Sequence, residues 1–114
     1  GAVIVSTPQD IALIDAVKGV NMFKRVDVPI LGIVENMSYY ICEKCGTRAD
    51  IFGHEGARKT AGSLGVPFLG EIPLHIDIRT NADNGTPIVV SKPDSPHTKA
   101  YLDIAAKVKA ELGL

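Results

Sequence analysis

An α/β fold with a mostly parallel sheet and flanking helices is predicted by three features of this 114-residue sequence. Short continuous apolar runs recur at 2–6, 30–34 and 66–72, the signature of strands covered on both faces. Segments with near-helical spacing of apolar residues separate these runs. The elements therefore alternate strand, helix, strand, helix, strand, helix, an order that right-handed parallel crossovers satisfy.

The first run, Ala2-Val3-Ile4-Val5-Ser6, ends at Thr7-Pro8 and reads as a strand buried on both faces. From Gln9 to Lys24 the residues Ile11, Ile14, Val17, Val20, Met22 and Phe23 recur at mostly helical spacing. Asp10 near the start and Lys24-Arg25 at the end suit the helix dipole. Pro29 to Val34 repeats the buried-strand pattern and runs into the polar tip Glu35-Asn36-Met37-Ser38. An irregular stretch, Tyr39 to Gly53, carries both cysteines. Glu55 to Leu64 predicts a short helix ended by Gly65 in the left-handed conformation. Val66 to Pro73 supplies a third strand, and Leu74 to Asn84 a short helix. Pro87 to Ser91 reads as a short strand or extended segment. Ser95-Pro96 opens a terminal helix with Tyr101, Ile104, Ala105, Val108 and Leu112 on one face.

Composition narrows the function classes. The formal net charge of −1 provides no field for nucleic acid or an anionic membrane, so neither is expected as a partner. No apolar run approaches the roughly 20 residues that span a bilayer. Two cysteines in one four-residue window do not form a secreted disulfide framework and fit a reducing compartment. The chain opens directly on a strand whose backbone needs neighbours, so residues 1–114 are expected to be a single partial domain preceded by further sequence. The loop 36–53 is its expected metal-binding part.

Cys42-Glu43-Lys44-Cys45-Gly46 is the sharpest chemical signal. A two-residue spacer lets two thiolates face one metal, and Gly46 permits the tight turn that presents them. Zinc and a 4Fe-4S cubane each take four protein ligands, so this is half a site. It is completed either by a mixed set drawn from His54, Glu43 and Asp50 or by a second chain. A redox pair and a pair of inert thiols are the competing readings. Zinc and iron-sulfur are not separated by spacing.

Asn36 and Pro73 fall at the carboxyl ends of the second and third strands, where open α/β sheets bind nucleotides. An Asn amide pairs with an adenine edge and a Pro ring packs on its face; the bland alternative is a turn cap and a strand stop. No G-x-x-x-x-G-K-[ST] phosphate loop is present, so no catalytic residue is assigned and ATP hydrolysis is not expected of this chain alone. His54, His75 and His97 are scattered and read as surface or capping residues. Tyr39 and Tyr40 either shield a cluster or anchor the loop.

The ordered series Gly1-Ala2-Val3-Ile4-Val5-Ser6-Thr7-Pro8-Gln9, Met22-Phe23, Gly32 to Ser38, Cys42-x-x-Cys45-Gly46, Ile51-Phe52-Gly53 and Leu69 to Leu74 is similar to the Mrp family of iron-sulfur cluster carriers. These are P-loop ATPases of the MinD/ParA kind. The match spans essentially the whole chain and resembles the C-terminal half of the family's fold. The resemblance implies a homodimer whose paired C-x-x-C motifs, here Cys42 and Cys45, bridge a labile 4Fe-4S cluster for delivery to apo iron-sulfur proteins. It also implies an adenine pocket at Asn36 and around Pro73, with the phosphate loop and the Mg²⁺ ligands for ATP in the half not present. The location implied is the cytoplasm or, alternatively, the mitochondrial matrix.

Overall fold

The computed structural model describes residues 1–114. Three parallel strands form the sheet in the order β1 (Ala2–Ser6), β2 (Ile30–Glu35), β5 (Phe68–Glu71). β2 is central, and everything from Leu31 to Glu35 is buried. The strands finish level, with Ser6 opposite Glu35 and Glu35 opposite Glu71.

Alternation along β2 sends Ile33 and Val34 into different layers. On one face Ile33 meets Leu13 and Val20 of α1 (Asp10–Arg25) and Ala57 and Ala61 of α2 (Gly56–Leu64). On the other, Val34, Leu69 and Ile72 pack under Tyr101, Ile104 and Val108 of α5 (Pro96–Glu111). The molecule is thus a three-layer sandwich, helices on both sides of a parallel sheet, as the sequence predicts.

Several details depart from the sequence reading. β1 is covered on one face only: Ile4 packs into the α1 layer, whereas Val3 and Val5 are 37% and 58% exposed because α5 sits over β2 and β5. α1 presents Leu13, Ala16 and Val20 to the sheet, and Ile11, Ile14 and Met22 lie outside it. Gly19 lies on the same side, where a Cβ would stand in ordinary contact, 3.8 Å, with Ile4 Cδ1. On α5 the face is Tyr101, Ile104 and Val108, with Ala105 and Leu112 exposed.

The segment expected to be extended at 87–91 is a helical turn, α4 (Ile88–Ser91). It buries Ile88, and the buried Thr98 hydroxyl of α5 lies 3.0 Å from Ile88 O and 2.6 Å from Lys92 O, donating to these carbonyls. Within the turn, Val90 N and Ser91 N donate to Pro87 O at 2.8 and 3.0 Å and Lys92 N donates to Ile88 O at 2.9 Å. The short helix expected after the third strand is α3 (Ile76–Asp83). Gly65 ends α2 at φ 68°, and its amide donates to Ala61 O and Gly62 O, as predicted.

Candidate functional site

Two groups of residues converge at the carboxyl edge of the sheet. Asn36 follows β2 and is half-buried; its backbone N–H donates to Ser6 O at 2.8 Å. Pro73 follows β5 and is buried. Backbone bonds zip the two strand ends together: Ile72 N donates to Glu35 O (2.8 Å), Ser38 N to Ile72 O (2.9 Å) and Leu74 N to Tyr39 O (2.7 Å). Both flanking bonds use Ile72, so Asn36 and Met37 form a two-residue excursion, and Met37 takes the left-handed conformation at φ 51° to make it. The structure therefore brings Asn36 and Pro73 to one place.

The cysteines lie beyond that zip. What reads from sequence as an irregular stretch contains a small antiparallel hairpin, β3 (Tyr40–Ile41) with β4 (Arg48–Ala49), in which Tyr40 faces Ala49 and Ile41 faces Arg48. Its tip is the turn Cys42 to Gly46. Cys42 N donates to Thr47 O (2.9 Å) and Gly46 N to Cys42 O (2.8 Å), with Gly46 at φ 72°. A side chain at that φ is strained, so glycine after the second cysteine is what lets the turn close. Cys42 is half-buried, Cys45 exposed, and both thiols are free.

Cys45 Sγ lies 3.2 Å from Thr47 Oγ1. The Thr47 hydroxyl, with help from the Thr47 backbone and the Cys42 thiol, holds the Cys45 thiol below its ordinary range, favouring the thiolate that binds metals.

The mixed single-chain site does not assemble. No three His, Cys, Asp or Glu side chains lie close enough to hold one metal ion. Glu43 reaches away to His75, Oε1 to Nε2 at 2.8 Å, and Asp50 pairs with Arg48 (3.0 Å) and His54 (3.1 Å). The anchoring role fits the tyrosines. The Arg48 guanidinium stacks 4.2 Å from the Tyr39 ring, while Tyr40 lines a cleft of about 330 Å³ with Ile51, Leu74 and Ile76.

Two histidines prove to be neighbours rather than scattered. His75 caps α3, its Nδ1 accepting from Asp77 N at 3.1 Å, which leaves Nε2–H to donate to Glu43. The His97 ring sits 4.4 Å from the His75 ring. Burial, and then His75 itself, holds His97 below the usual imidazole range. This cluster ties the hairpin tip to α3 and α5.

The sequence reading gives Glu35 a place in the polar tip Glu35-Asn36-Met37-Ser38 but no role. Glu35 is fully buried, accepting from Ser38 Oγ on Oε2 (2.5 Å) and from Ala57 N, in the first turn of α2, on Oε1 (2.9 Å). The sequence signal was available: a carboxylate closing an apolar run on a central strand must find donors.

Comparison with known proteins agrees with the fold. Residues 1–109 match the ParA family model described as NUBPL iron-transfer P-loop NTPase. The iron-sulfur cluster transfer protein NUBPL of Dictyostelium discoideum is 57% identical over 112 residues, 98% of this chain and 35% of that protein. The iron-sulfur cluster carrier protein of Salmonella typhimurium is 55% identical over 112 residues, 98% of this chain and 30% of that protein. The chain thus spans about a third of the length of these relatives. Among solved structures, the nucleotide-binding protein of Archaeoglobus fulgidus in complex with ADP is 36% identical with a TM-score of 0.69, over 86% of this chain and 39% of that one. The cell division ATPase MinD of Pyrococcus furiosus is 26% identical with a TM-score of 0.73, over 96% of this chain and 43% of that one. With the family model covering almost its whole length, the chain belongs to the ParA family of NUBPL-type iron-transfer P-loop NTPases.

Proposed function

We propose that this chain is the cysteine-bearing part, a single partial domain, of an iron-sulfur cluster carrier. In it Cys42 and Cys45 of two copies hold a 4Fe-4S cluster as cargo for apo iron-sulfur proteins. The carrying observation is the pair of free thiols at the tip of a hairpin with no third ligand beside them. Two thiolates complete a four-ligand set only by meeting another pair. The names of the relatives support the cargo. Lacking a phosphate loop, the chain would contribute the adenine side, Asn36 and Pro73, of an ATP site whose phosphate and Mg²⁺ groups lie elsewhere in the whole protein. ATP binding there would gate loading or release. The near-neutral charge favours neither nucleic acid nor membrane as partner, and no helix is long and apolar enough to cross a membrane. Free thiols suit the cytoplasm or, alternatively, the mitochondrial matrix.

The test is anaerobic reconstitution of the whole protein with iron and sulfide. A brown species holding about half a cubane per chain is expected. The likeness to MinD supports a second reading, a positioning or regulatory ATPase with a structural zinc site. Tight, colourless zinc in place of the brown species would establish that reading and end the first.

Asn36→Ala is expected to weaken ADP binding to the whole protein about tenfold, the loss of roughly one good hydrogen bond, with thermal stability nearly unchanged. Calorimetric titration measures it, and an unchanged affinity would remove Asn36 from the adenine site.

A further inference from the structure

We propose that Glu35 is a positioning residue that couples the nucleotide-side turn to the cysteine hairpin, so that movement at Asn36 is passed to Cys42 and Cys45. The inference rests on the proposed function, in which nucleotide binds beside Asn36 and cargo on the two thiols. The excursion that carries the hairpin leaves the sheet at Ser38 and returns at the start of α2. Both ends are held by one carboxylate: Oε2 accepts from Ser38 Oγ at 2.5 Å and Oε1 from Ala57 N at 2.9 Å. Glu35 and Ala57 are 0% exposed and Ser38 1%, so water does not compete for these bonds.

The first leg is also held by the backbone bonds Ser38 N to Ile72 O and Leu74 N to Tyr39 O, but the remaining side-chain attachments of the hairpin are of a different kind. Glu43 to His75 and Arg48 to Glu71, at 2.8 and 3.7 Å, involve exposed partners, and such pairs hold weakly. Glu35 is therefore a buried side chain that joins both legs, and it is the residue immediately before Asn36. A carboxylate offers acceptors only, and here two donors from opposite ends of the excursion converge on it. A shift of the β2 end would turn Glu35 and carry both legs of the hairpin with it.

Thiol labelling of the whole protein with N-ethylmaleimide, with and without the non-hydrolysable analogue AMP-PNP, tests this. Wild type is expected to show a labelling rate at Cys42 and Cys45 that changes about fivefold or more on binding the analogue. Ser38→Ala removes the Ser38 hydroxyl bond to Glu35 and leaves the Ala57 bond in place; it is expected to lose most of that response while AMP-PNP affinity stays close to wild type and the melting transition, though lowered by the unpaired buried oxygen, stays cooperative. Glu35→Ala should abolish the response. Glu35→Gln keeps an acceptor for Ala57 N–H and sets an amide donor opposite Ser38 Oγ, so it should retain the response, a rescue that a merely structural role does not predict. If Glu35→Ala fails to fold, Ser38→Ala and Glu35→Gln still decide. A full response in Ser38→Ala overturns the coupling and leaves the proposed function standing. A wild type saturated with AMP-PNP that shows no response overturns the nucleotide-gated reading, and the coupling with it.

Discussion

Replacing either Cys42 or Cys45 by serine is expected to remove the iron-sulfur absorption of the reconstituted protein almost completely, with no comparable loss of folding stability. The two halves of that expectation have separate physical grounds. A serine hydroxyl does not deprotonate near neutral pH and is a poor ligand for iron where a thiolate is a good one. In a cluster bridged between two chains each substitution removes two of the four ligands, one from each copy, so the effect is steeper than for a site within one chain. Stability should hold because the turn is built from backbone: Cys42 N to Thr47 O and Gly46 N to Cys42 O do not use the thiols. Cys45 is exposed, so its sulfur contributes little packing. Iron and sulfide content together with visible absorbance reads the first half, and circular dichroism melting the second. A full cluster in the Cys45→Ser protein would show that the ligands lie elsewhere.

The two cysteines differ in environment, and under the proposed function that difference sets an order of capture. Cys45 is both more accessible and poised towards thiolate by Thr47, whereas Cys42 is half-buried. An incoming metal would meet Cys45 first and then close onto Cys42. The neighbouring carboxylates are turned to other partners, Glu43 to His75 and Asp50 to Arg48 and His54.

What the sequence reveals, and what it hides, divides along physical lines. The β2 run is legible because a strand covered on both faces has nothing to alternate with, and the structure buries Leu31 to Glu35 without a break. For β1 the same pattern overstates burial: Val3 and Val5 are as apolar as Ile4, yet the helix that would cover them lies over β2 and β5. Coverage is a property of the assembly of elements, which a local pattern does not record. The spacing of the cysteine pair marks it as a candidate metal site, but nothing in the sequence marks the hairpin that presents it. Its strands are two residues long and nearly all exposed, so neither period nor hydrophobicity marks them. The Ser38 to Glu35 bond was within reach of local reading. The Ala57 bond, 22 residues distant, was not, because only the packing of α2 against β2 brings it to Glu35.

Gly32→Ala is expected to destabilise the protein by about 3 kcal/mol or more, from overpacking and backbone strain together. Gly32 has φ +152°, and a Cβ there would stand 2.5 Å from Leu69 Cγ and 2.7 Å from Pro67 O. The leucine can turn, but the carbonyl cannot: Pro67 O accepts from Ile33 N at 2.9 Å and so begins the ladder between β2 and β5. An added methyl must push the two strands apart at the register shift between Ile33 and Val34. The damage would travel, because the β2–β5 ladder also sets the spacing of Asn36 and Pro73. ADP affinity should therefore fall with stability, and the urea midpoint and calorimetric affinity should move together. Gly62→Ala supplies the contrast. It lies inside α2 with nothing within 4 Å of its Cβ position, so alanine there should stabilise by up to about 1 kcal/mol through helix propensity. Equal stability of the two variants would mean that the close approach at Gly32 does not hold β5 against β2, and the placement of Pro73 beside Asn36 would lose its structural basis.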